Sequence, residues 1–160
     1  METTVQVRAI ARDAGEALWF VGTRTWVTAT AAQTAGAYGL IEHVAPPGAG
    51  SPLHLHHAED ESFYVVEGTM TIFIGDERIS AGPGTYVFGP RGIPHGFRVE
   101  GDQPARYLVL ATPGGFEEFV LELAEPATGP GFPSHEPPDM EKVIQAAAAR
   151  QIEILGPLPE

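Results

Sequence analysis

Residues 48–68 read Gly48-Ala49-Gly50-Ser51-Pro52-Leu53-His54-Leu55-His56-His57-Ala58-Glu59-Asp60-Glu61-Ser62-Phe63-Tyr64-Val65-Val66-Glu67-Gly68. On a β-strand, residues two apart face the same side, with Cα atoms roughly 6.5–7 Å apart. The imidazoles of His54 and His56 can therefore lean toward one point about 2.1 Å from each nitrogen, a first-row metal–nitrogen distance. Parity sends His57 to the other face, as a surface residue or a support to the site. Glu61 shares parity with Phe63 and Val65 on the strand it begins, which puts a carboxylate at the mouth of an apolar core beside two histidines. Glu59 has the same parity and is its nearest competitor as a ligand.

Outward from this stretch the pattern is strand-like from Thr3 to about Thr112. Val5, Val7 and Ala9 alternate with polar partners, and short runs follow at 18–21, 26–31 and 38–44. The run 63–66, through Glu67-Gly68 into 69–74, predicts a hairpin, and Gly75-Asp76 marks the next tight turn. Further strands are expected at Ile79, 85–88, 95–99 and 106–111. His95 follows Pro90-Arg91-Gly92-Ile93-Pro94, where two prolines and a glycine fix a tight approach to a strand. Turn signals every 8–12 residues without helical periodicity predict a β-sandwich or barrel.

After Pro113 the apolar residues 116, 119, 120 and 123 take the i, i+3, i+4, i+7 spacing of a helix. Residues 125–138 hold five Pro and two Gly in fourteen positions, too many for a regular element. A second helix is predicted from the N-cap Asp139 to Arg150, with residues 152–155 as a terminal strand or extended docking segment.

The chain has 160 residues, 9 Lys plus Arg against 21 Asp plus Glu, and no Cys. Its length predicts one domain. A net charge of −12 disfavours nucleic acid and anionic membranes as partners. Without Cys there are no disulfides, thiolate nucleophiles or Cys-based metal sites. Lys142 is the sole lysine and stands in no Gly-rich context, which removes the usual anchors for Schiff-base and P-loop chemistry. Neither a signal peptide nor a long apolar run is visible, so a cytoplasmic location is expected.

Gly48, His54, His56, Glu61 and Gly68 match the first cupin motif in every spacing. Gly84, Pro90, Gly92 and His95 match most of the second, which usually closes with Asn where this chain has Val99. The wider stretch 19–125, including Phe88-Gly89-Pro90-Arg91-Gly92-Ile93-Pro94-His95 and Thr112-Pro113-Gly114-Gly115-Phe116-Glu117, resembles small bacterial cupins of the quercetin dioxygenase-like kind. The resemblance implies an all-β jelly-roll barrel over residues 1–125, with N-terminal accessory strands. A tail, 126–160, would follow, with one or two short C-terminal helices (one near 139–150) docking on the barrel or on a partner subunit. It also implies one divalent metal per chain, held by His54, His56, Glu61 and His95, and a homodimer.

Three imidazoles and one carboxylate around a divalent ion leave a net charge of +1 and about two open positions. Iron is the first choice, with manganese, nickel, cobalt and zinc as alternatives. In the dioxygenase reading, the small-molecule substrate is an enol or phenol activated for reaction with dioxygen, and Glu61 is both ligand and base. The other readings are a non-redox isomerase, cyclase or lyase acting on a carbonyl or polyketide-like substrate, and a binding module without catalysis. His43 and His135 match no motif and read as structural or solvated. Phe63, Phe73, Tyr86, Phe88 and Phe97 read as core and cavity lining, and Arg91 and Arg98 as solvated residues that sit where they can steer an anion.

Overall fold

The computed structural model describes residues 5–160. After a short 3-10 turn at Arg12–Ala14, the chain forms β1 (Leu18–Phe20), β2 (Thr23–Ala29), β3 (Gly39–Ala45), β4 (Leu53–His56), β5 (Asp60–Glu67) and β6 (Thr69–Ile74). Next come β7 (Glu77–Ala81), β8 (Tyr86–Gly89), β9 (His95–Glu100), β10 (Ala105–Thr112) and α1 (Phe116–Leu123). The tail carries β11 (Glu125–Pro126), α2 (Met140–Ala148) and β12 (Ile152–Gly156). The strands form a seven-stranded sheet, β11-β1-β2-β3-β10-β5-β8, and a five-stranded sheet, β12-β4-β9-β6-β7. All pairings are antiparallel, and the two sheets face each other as a jelly roll. Alternation sends Ile41, Phe63, Val65, Met70, Ile72, Val99, Tyr107 and Val109 into the core between them.

Three expectations are corrected. Residues 5–11 form no regular element, and Val7 is fully exposed, so the alternation at Val5, Val7 and Ala9 finds no strand partner among the described residues. Thr3, where that run begins, lies outside them. The stretches either side of Gly68 do not form a hairpin: β5 pairs with β10 and β8, while β6 pairs with β9 and β7 in the other sheet. Both edges of β5 are already occupied, so the chain crosses between sheets through a single residue. Gly68 has φ of 80°, and a Cβ there would lie 2.5 Å from the Pro104 carbonyl oxygen. Tyr86 and Phe88 are largely exposed on the outer face of the edge strand β8, because parity on that strand gives the core to Val87 instead.

Other local readings match the structure. The turn at Gly75-Asp76 joins the paired strands β6 and β7. Helix α1 spans 116–123, and Asp139 caps α2 by accepting from the Lys142 amide. The tail is woven into the barrel, because β12 pairs with β4 and places Ile154 opposite His54 and Ile152 opposite His56. Among the described residues no helix is long and apolar enough to cross a membrane.

Candidate metal centre

Strand β4 aims His54 and His56 inward from the five-stranded sheet, and β9 opens with His95 directly across from His54. Strand β5 supplies Glu61 from the opposing sheet, in register with Gly89 and Ala111. The approach to His95 is fixed by backbone: the Gly92 amide donates to the His56 carbonyl, and the Gly75 amide to the Pro94 carbonyl. One ligand atom from each of His54, His56, Glu61 and His95 falls within 4.8 Å of the others. Sequence motif and fold thus bring these four side chains to one point. His57 points away and meets Glu153 at the surface, 3.1 Å apart.

The far nitrogens of the three rings fix their tautomers. His54 Nδ1 lies 2.8 Å from the Pro52 carbonyl and His95 Nδ1 3.2 Å from the Ile93 carbonyl. His56 Nδ1 lies 2.6 Å from Glu59 Oε1. Carbonyls and carboxylates only accept, so each Nδ1 carries a hydrogen and each ring turns its Nε2 inward. There the Nε2 atoms meet Glu61 Oε2, 2.6 Å from His95 Nε2 and 3.0 Å from His56 Nε2. The His56 contact is close but misaligned, leaving its buried Nε2 without a hydrogen-bond partner. Three ring nitrogens converging on a buried carboxylate require positive charge, carried either by protons on the rings or by a bound cation. A divalent cation satisfies all four, so the donor set fits a metal.

The electrostatics carry the same demand. Burial disfavours a charged His56, but the Glu61 and Glu59 carboxylates overcome it and raise the ring to about 9. Burial, with His95 and His56 adding repulsion, lowers His54 to about 4. Burial alone would raise Glu61, yet the neighbouring His56 and His95 hold its carboxyl well below the usual range. Glu59, the rival carboxylate, is buried on the outer side of His56 and orients that ring.

The cluster opens on a cavity of about 120 Å³. Its walls are mainly apolar: Phe63 and Phe97 from the sheets, Phe116 and Phe119 from α1, Val143 from α2, and Ile152 and Ile154 from β12. The Phe116 ring stands edge-on to His56, centroids 5.1 Å apart. Among the described residues no Lys or Arg lines the cavity. Arg91 is bound to Asp60 and Arg98 to Glu100 at the surface, and Phe73 lies under the guanidinium groups of Arg78 and Arg98, away from the cavity. The sequence reading missed the tail's share of the walls, whose sole signal was the apolar alternation of Ile152 and Ile154. It also missed His43, which lines the cavity from β3.

Fold and cluster together define a jelly-roll barrel with a metal-type His/Glu centre in its mouth. Residues 41–111, from β3 into β10, match the family described as Cupin domain, which supports a protein of the cupin superfamily. The chain is 28% identical over 133 residues to quercetin 2,3-dioxygenase of Bacillus subtilis, covering 82% of this chain. The chain spans 39% of that enzyme's length. Among solved structures it is similar to a polyketide cyclase from Streptomyces resistomycificus, with TM-score 0.58 and 28% identity over 67% of this chain and 80% of the cyclase. A sugar phosphate isomerase from Silicibacter pomeroyi shares the fold at TM-score 0.58 and 22% identity, over 66% of this chain and 75% of the isomerase.

Proposed function

We propose that this chain is a metal-dependent oxygenase acting on a small enol or phenol. The observation that carries the reading is the convergence of three imidazoles and a carboxylate on the floor of an aromatic-walled cavity that no Lys or Arg of the described residues lines. A divalent metal held by His54, His56, Glu61 and His95, with iron first and manganese, nickel, cobalt or zinc as alternatives, would supply a Lewis acid that acidifies a substrate hydroxyl and a centre at which the substrate meets dioxygen. Glu61 takes the hydroxyl proton on a carboxylate oxygen, the base nearest the open floor. Glu59 holds the His56 ring through Nδ1, and Phe63, Phe116 and Phe119 keep water from the substrate anion. The volume favours one aromatic ring, since a cavity of about 150 Å³ takes a benzene. A flavonol would need the α1 or β12 wall to move.

A non-redox cyclase reading is supported by the polyketide cyclase similarity, because the same base and apolar walls suit a carbonyl substrate. A phosphorylated sugar is disfavoured, since no Lys or Arg of the described residues lines the cavity. Elemental analysis should find about one divalent metal per chain, lost in His54→Ala and His95→Ala. Oxygen uptake by iron-, manganese- or nickel-loaded protein against phenols, catechols and β-diketones tests the reaction. Uptake that Glu61→Gln abolishes is the expected result, whereas no uptake with any metal would replace oxygenation by the cyclase reading.

A further inference from the structure

A chain of hydrogen bonds behind the cavity wall assigns the state of a fourth histidine. Thr23 Oγ1 donates to the Phe20 carbonyl at 2.7 Å, which uses its single hydrogen. Thr25 Oγ1, 2.8 Å from Thr23 Oγ1, must therefore be the donor of that pair. With its own hydrogen committed, Thr25 can only accept from His43 Nδ1, 2.7 Å away. His43 is thus held as the Nδ1–H tautomer, with its lone pair on Nε2. Its ring is buried and lies between Phe20 and Tyr107, centroids 6.0 and 5.2 Å away. Among the described residues Nε2 has no protein partner, while the residue itself lines the cavity. The hydroxyl of Tyr107, the cross-strand neighbour of His43, likewise has no protein hydrogen-bond partner among the described residues.

We propose that His43 is a specificity-determining residue whose Nε2 accepts a hydrogen bond from a second hydroxyl of the substrate, making the preferred ligand a one-ring compound with two hydroxyls. One hydroxyl faces the His/Glu floor and the other faces His43, with the Tyr107 O–H beside it. The inference rests on the reading of this cavity as the substrate site, but not on oxygen chemistry. Burial lowers His43 to about 4, against the opposing pull of Glu61, so the ring stays a neutral acceptor at ordinary pH. Burial and Glu61 both push the Tyr107 phenol up, which keeps it a donor. A buried acceptor in an apolar cavity is satisfied by a hydroxyl and left unpaired by a methyl ether of similar shape, and that difference produces selectivity.

The test is anaerobic calorimetric binding of hydroquinone, resorcinol, their monomethyl ethers and phenol to the metal-loaded protein. At least one diol should bind roughly tenfold or more tightly than its ether. His43→Leu should erase that preference, and His43→Gln, which can present a carbonyl oxygen near the Nε2 position, should restore part of it. Nitrogen chemical shifts of His43 should report the Nδ1–H tautomer, and Thr25→Val should release it. A diol preference that survives in a folded His43→Leu overturns the proposal, as does an Nε2–H tautomer in the wild type. Failure of every probe to bind overturns this inference and the cavity reading together. Diol preference without oxygen uptake leaves His43 in place and removes only the oxygenase reading.

Discussion

Glu59 and Glu61 lie two residues apart with the same parity, yet they do different work. Glu61 turns its oxygen toward His56 and His95 inside the barrel, whereas Glu59 reaches the opposite nitrogen of His56 from outside. Removing a supporting acceptor loosens a ligand; removing a ligand breaks the site. Glu59→Gln keeps a carbonyl oxygen for the Nδ1 hydrogen, so metal affinity should fall about tenfold, and Glu59→Leu should cost nearer 100-fold. Glu61→Gln should cost more than either. Competition with a chelator of known affinity measures all three, and a reversed order would make Glu59 the ligand. Parity alone could not separate the two residues; the motif spacing chose Glu61, and Glu61 is the carboxylate that faces His54, His56 and His95 together in the structure.

Individual strands and helices follow from periodicity, because alternation and the i, i+3, i+4, i+7 pattern are local properties of the chain. Pairing is not local. Nothing within 63–74 states that β10 and β8 occupy both edges of β5, so the turn-like Glu67-Gly68 reads as a hairpin when it is a crossing between sheets. Val5, Val7 and Ala9 show the converse: a strand pattern without a partner edge among the described residues stays irregular. The role of Gly68 can be tested against Gly48, which has nearly the same φ, 79° against 80°. Gly48 has open space where its Cβ would go, so Gly48→Ala should cost about 1–2 kcal/mol for the left-handed backbone alone. Gly68→Ala adds a collision with Pro104 and Ala105 backbone and should cost roughly 3 kcal/mol or more. Urea unfolding of the two variants gives the comparison. Equal losses would mean that the crossing has room to relax.

At the scale of the molecule, the net charge of −12 describes the surface, while the interior is rich in imidazole: His43, His56 and His95 are buried, and His54 lines the cavity. Four of the six histidines thus serve one interior, three named by motif spacing and His43 visible only once β2, β3 and β10 are assembled around it. This arrangement sets the acid limit of the fold. Burial lowers His43 from the ordinary histidine value of about 6.5 to about 4, so below about pH 6.5 the unfolded chain takes up a proton that the folded one refuses. The stability contributed by the neutral ring is present above the unfolded value and is lost as pH falls toward the folded value. Between about pH 7 and about pH 5 the loss is roughly 2 kcal/mol. Other groups titrate over the same range, so the informative quantity is the difference between wild type and His43→Gln, each metal-loaded and unfolded in urea at both pH values. The variant should lose about 2 kcal/mol less than the wild type over that interval. Parallel losses in the two proteins would show that His43 is protonated without opening the barrel, in contradiction to its burial behind Thr25.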